Sequence, residues 1–78
     1  MSKVTLIYTP DGNWEMVYVN DERVIESDMI TSWLLMKKLN DYVPVSEMEC
    51  KELTFEACDK YDYEFPRKLS EFNDADFR

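Results

Sequence analysis

The first 27 residues alternate. In segment 3–9, Val4, Leu6 and Tyr8 share one side while Thr5, Ile7 and Thr9 share the other. In segment 14–19, Trp14, Met16 and Tyr18 oppose Glu15, Val17 and Val19. A period of two built from β-branched and aromatic residues is the pattern of a strand. Between the runs lies Pro10-Asp11-Gly12-Asn13, where proline presets φ and glycine accepts positive φ, so the two pair as an antiparallel hairpin. Asn20-Asp21 follows. These residue types best tolerate the left-handed region after glycine, and they suit a tight turn into a third short strand over 23–27. A three-stranded meander is therefore expected.

A helix is predicted within 32–40. Thr31 is the preferred N-cap, with Ser27 and Asp28 as competing starts. Ile30 can staple onto Leu35. Leu35, Leu39 and Tyr42 or Val43 recur at helical spacing, with Met36 widening the stripe. Lys37 and Lys38 suit the C-terminal end of the helix dipole. Asn40 is expected to end the helix in a left-handed conformation, and Pro44 forbids continuation.

Beyond Pro44, Leu53, Phe55 and Ala57 alternate with Thr54 and Glu56, so 48–57 reads as a fourth strand. Met48 and Cys50 have the other parity, which places a slip, or a bulge, near Lys51-Glu52. Segment 58–63 either extends that strand or forms one helical turn. Leu69 and Phe72 can anchor a short tail, and 73–78 is expected to fray. The fold class is α+β and two-layer: a three-stranded antiparallel meander, one helix, a fourth strand and a short C-terminal turn or helix. Residues 1–72 form the single domain. Both faces of the hairpin are partly apolar, so a second cover is needed, either the tail from 58 to 72 or another molecule.

Seventy-eight residues make one domain, and such a chain folds unaided only if it is rich in apolar groups. Hydrophobic residues are 45% of this one, and Trp14, Trp33, Tyr8, Tyr18, Tyr42, Phe55 and Phe65 can each bury a large ring. No stretch approaches the length of a membrane span, and Val4–Tyr8 is too short for a secretory signal, so the expectation is a cytoplasmic protein, in the host cytoplasm if viral. Cys50 and Cys58 are too few for a disulfide framework and are expected to be reduced and at least partly buried, with a single disulfide as the alternative.

The chain contains no histidine and one glycine, Gly12. That removes the commonest general base, histidine-activated nucleophiles and a glycine-rich phosphate loop. Two cysteines without histidine cannot build a zinc site in one protomer. Asp59, Asp62 and Glu64 lack the glycine and spacing of a calcium loop and read as a solvated face. Glu52 and Glu56 have the right chemistry for an acid–base pair, but so small a domain offers little room to desolvate them. No catalytic residue, cofactor or metal is expected.

Net charge is -8, unevenly spread: residues 41–78 hold eleven acids against five bases. Such a surface repels free nucleic acid and anionic lipid and favours a basic protein partner. From Asp41 to Glu64 eight acids face Lys51 and Lys60 alone. Glu49, Glu52, Glu56, Asp59 and Asp62 are the candidate partner-binding residues.

The stretch Trp14 to Glu26 (WEMVYVNDERVIE), followed by Phe65-Pro66-Arg67-Lys68-Leu69, resembles short uncharacterised proteins of phages and mobile elements. In those a tryptophan opens a strand, a hairpin follows, a Val-x-Glu-x-His leads into a short helix, and a Phe-Pro-x-x-Leu lies near the end. Asp21 stands where glycine is usual and Asp28 where histidine is usual. The resemblance implies the hairpin–helix layout and a viral or mobile-element origin, and it brings no known activity. With the charge it suggests a non-catalytic inhibitor of a host defence or nucleic-acid-binding protein, its carboxylates imitating a DNA backbone. The alternatives are a self-associating accessory protein, such as a homodimer, and a small-ligand-binding oligomer.

Overall fold

The computed structural model describes residues 2–42 and 44–78. Strands β1 (Ser2–Tyr8) and β2 (Glu15–Val19) pair antiparallel, with Val4 opposite Val19, Leu6 opposite Val17 and Ile7 opposite Met16. Their turn is wired by Asp11. Its carboxylate accepts from the Thr9 hydroxyl at 2.6 Å and from the Asn13 amide at 3.0 Å, while Gly12 takes φ +75°. Asn20, at φ +57°, turns the chain into β3 (Glu22–Ser27), which pairs antiparallel with β2. The meander read from the alternation is thus present.

Helix α1 (Ser32–Leu39) starts at Thr31, whose hydroxyl accepts the Leu34 amide at 3.2 Å. Its end differs from expectation. Asn40 is right-handed (φ -57°) and opens a 3-10 turn over Asn40–Tyr42, so the chain tightens before Pro44 instead of reversing. Val43 lies outside the described residues.

The fourth strand, β4, runs Val45–Glu52, not 48–57, and lies parallel to β1 at the sheet edge, in the order β3-β2-β1-β4. The parity slip near Lys51-Glu52 is the strand's end rather than a bulge. Thr54 then caps helix α2 (Phe55–Tyr61), its hydroxyl accepting the Ala57 amide at 3.0 Å. Three residues that alternated by chance over 53–57 therefore belong to a bridge and a helix. Ala57, Cys58 and Tyr61, at helical spacing, are the ones turned inward. Asp62 and Tyr63 are left-handed (φ +51° and +60°) and end α2.

Each sheet face has its own core. On one, Val4, Val17, Val19 and Ile25 pack against Leu34, Leu35 and Leu39 of α1, with Ile30 and Tyr42 beside them. On the other, Ile7, Met16 and Tyr18 pack against Leu53, α2, Phe65 and Phe72. The α1-on-sheet pair of layers is as expected, and the cover of the second face is the tail. Residues 73–78 are a correction. Asp76 is buried in a 3-10 turn (Asp74–Asp76), Leu53 bridges Phe77, and the Arg78 amide donates to the Glu52 carbonyl at 2.9 Å, because Phe77 and Asp76 complete the core instead of fraying from it. Trp33 and Met36, read as core, are 70% and 72% exposed, since α1 presents only its Leu34–Leu35–Leu39 side to the sheet. Both cysteines are free; Cys58 is buried, whereas Cys50 is exposed on β4.

Candidate functional site

The five acids singled out by sequence fall into two groups. Glu49, on β4, has Lys3 Nζ at 3.3 Å and Lys51 Nζ at 3.8 Å, and the Thr5 hydroxyl donates to it at 3.4 Å. Burial works against its ionisation, but the two lysines and Thr5 outweigh that and hold the carboxyl below its ordinary range. Glu52 pairs with Arg78 at 3.4 Å. These two charges are answered within the molecule. Glu56 and Asp59 are exposed on α2, and Asp62 is exposed at its C-cap; among the described residues none of the three has an ion-pair partner. The structure therefore brings Glu56, Asp59 and Asp62 onto one short helix and leaves Glu49 and Glu52 on a strand with partners of their own.

Asp76, Lys60 and Tyr61 form a polar cluster in which each group's pKa is displaced. Asp76 is 4% exposed and accepts from Lys60 Nζ, from the Tyr61 hydroxyl at 2.7 Å and from the Asn73 amide at 2.9 Å. Both carboxylate oxygens are engaged, Oδ1 by Lys60 and Oδ2 by Tyr61 of α2 and by the Asn73 amide of the tail, so it reads as a clamp and not as a reacting group. Burial pushes the Cys58 thiol up, which disfavours a nucleophilic thiolate. Among the described residues there is no buried side-chain polar atom without a partner and no group of three or more Cys, Asp or Glu suited to a metal ion. No described helix is long and apolar enough to cross a membrane.

A surface that the sequence reading missed lies on the outer side of α1. Trp33 and Met36 are exposed there, and Met29, just before the helix, is 68% exposed. Trp33, Met36, Lys37 and Asn40 line a shallow groove of about 350 Å³, and the Lys37 ammonium lies 5.1 Å from the Trp33 ring centroid. Residues 29–40 contain two lysines and no acid, the longest acid-free stretch of a chain whose net charge is -8. The signal was present in the sequence: Met29, Trp33 and Met36 are spaced i, i+4, i+7, a stripe opposite the leucine stripe. Comparison with family models, curated proteins and solved structures returns no match.

Proposed function

We propose that this chain is a non-catalytic protein-interaction module that uses the outer face of α1 to hold an acidic segment bearing large apolar side chains. One observation carries the reading: Met29, Trp33 and Met36 remain exposed along the longest acid-free stretch of an acidic chain. Tryptophan and methionine are enriched at protein interfaces, and tryptophan dominates their binding energy. The Trp33 ring offers a flat apolar anchor, the groove beside it offers room for a side chain, and Lys37 and Lys38 supply charge for carboxylates. The experiment is selection from a displayed random-peptide library on the immobilised chain, followed by titration of the enriched peptides. Acidic peptides with aromatic or large aliphatic residues are expected, and Trp33→Ala should weaken them by on the order of 30-fold. Peptides that bind a Trp33→Ala/Met36→Ala variant unchanged would refute this reading.

A second reading is supported by the unpaired carboxylates of α2. Glu56, Asp59 and Asp62 could occupy the basic groove of a nucleic-acid-handling protein and so inhibit it, as counterion release favours polyanions there. Competition with DNA for a lysine- and arginine-rich DNA-binding domain tests it. Displacement that weakens with salt and is lost in Glu56→Lys/Asp59→Lys supports it; displacement indifferent to those changes counts against it.

A further inference from the structure

The two helices lie on opposite faces of the sheet and present complementary outer sides. α1 packs over Val4, Val17 and Ile25, and α2 packs over Ile7, Met16 and Tyr18. The inward residues of α2 are Ala57, Cys58 and Tyr61. Its outward side begins at Phe55, which is 62% exposed, and continues through Glu56, Asp59 and Asp62, all exposed. Phe55, Asp59 and Asp62 stand at i, i+4 and i+7, so they form one stripe. Lys60 beside them is committed to Asp76. The outer side of α2 is therefore an acidic segment bearing a large apolar side chain, which is the chemistry that suits the outer face of α1.

We infer that the α1 face takes the outer side of α2 from a second copy, head to tail; this rests on the interaction reading of α1 above and names its occupant. The stripes match in order as well as in kind. Trp33 precedes Lys37 by four residues, and Phe55 precedes Asp59 by four. Helices laid side by side in the same direction put Phe55 on the Trp33 ring and Asp59 on Lys37, an aromatic pair beside an ion pair. Reversed about the same ring pair, Asp59 would fall at Met29, away from both lysines. A hollow of about 490 Å³ lined by Trp33, Leu34, Lys37, Lys38, Asn40 and Asp41 gives the Phe55 ring a seat. Two copies at net charge -8 repel at a distance, but physiological salt screens that beyond about 8 Å, whereas Asp59 and Lys37 would be in contact. Because the surfaces lie on opposite faces, a molecule cannot use its own α2. The contact is heterologous: each pair leaves one α1 and one α2 open, so it repeats into a ring or a filament.

Sedimentation velocity and native mass spectrometry over a concentration series of the full chain test this. Dimers and then longer assemblies are expected as concentration rises. Trp33→Ala/Met36→Ala removes the α1 side of the contact and Phe55→Ala/Asp59→Lys removes the α2 side; each should raise the Kd by roughly tenfold or more. All four residues are exposed, so circular dichroism should be unchanged. Mixed together, the two variants should form a one-to-one complex and nothing larger, since one keeps an intact α2 and the other an intact α1. Lys37→Asp/Asp59→Lys in one chain should regain the association that either change alone loses, because the swap regenerates opposite charges. The Phe55→Ala/Asp59→Lys variant should still bind acidic library peptides through α1, which separates the two readings. A wild-type chain that stays monomeric at millimolar concentration while such peptides bind would overturn this inference and leave the α1 reading standing. A Phe55→Ala/Asp59→Lys variant that associates like wild type, or a mixture that forms no complex, would overturn it as well.

Discussion

The two faces of the sheet are covered in different ways. The tail face is aromatic and interlocked: Phe72 meets Tyr18, Tyr61 and Phe77 with centroids 6.0, 5.5 and 5.3 Å apart. Its cover is tied down by backbone bonds from Thr54 and Arg78 and by the Asp76 clamp. The α1 face is aliphatic, and α1 itself contributes no buried residue. A helix held by one narrow stripe leaves most of its circumference free. The difference teaches that stability is concentrated under the tail, and that α1 can present its outer side to a partner without unpacking the core.

Paired substitutions can break or sharpen that contrast. Phe72→Ala should destabilise the protein by about 3–5 kcal/mol, a loss read directly by chemical denaturation. Asp76→Ala should cost about 2–3 kcal/mol, since it strands the Tyr61 hydroxyl and the Asn73 amide. Burial opposes ionisation of Asp76, yet Lys60, Tyr61 and the Asn73 amide hold its carboxyl below the ordinary value of 3.8. The folded pKa is the lower one, so the contribution is present above that ordinary range and disappears as pH falls through the folded value. Asp76→Asn should flatten the acid limb of a stability–pH curve.

Tyr18 gives the alkaline counterpart. Burial, opposed by Arg23, pushes its phenol up to about 12 from 10.0, and its hydroxyl donates to the Pro66 carbonyl. Its contribution is complete below pH 10 and is lost as pH rises toward the folded value. Tyr18→Phe should cost about 1–2 kcal/mol at neutral pH and remove that alkaline dependence. The two N-caps compare the faces at smaller scale. Thr54→Ala should lower global stability by about 1 kcal/mol, because α2 carries core residues, whereas Thr31→Ala should mainly speed exchange of the first α1 amides. Smallest of all, Trp33→Ala should change stability by no more than about 0.5 kcal/mol, so any loss of binding in that variant reports on the surface.

The N-terminal half was legible because its signals are local. Alternation in 3–9 and 14–19, Gly12 and Asn20 at the turns, and Thr31 at the cap each act within a few residues. The second half was harder because its decisive contacts are distant in sequence. Leu53, Phe55 and Ala57 alternate like a strand, and only the Thr54 cap and the inward pair Ala57–Cys58 mark a helix. Nothing local indicates that β4 would run parallel to β1, or that Phe77 and Asp76 would be drawn into a core begun by Ile7. A ring the size of Trp33 is expected in the core, yet it lies on the outer side of α1. Lys3 and Arg78 answer Glu49 and Glu52 from opposite ends of the chain, which a count of charges along 41–64 cannot reveal.

Native-state amide hydrogen exchange tests the division of labour most directly. The Thr54, Asp76, Phe77 and Arg78 amides should exchange only through near-global opening, while the amides of α1 open at lower free energy. Amides 76–78 exchanging at unfolded-chain rates while α1 stays protected would contradict it, for the stabilising face would then be the helix side.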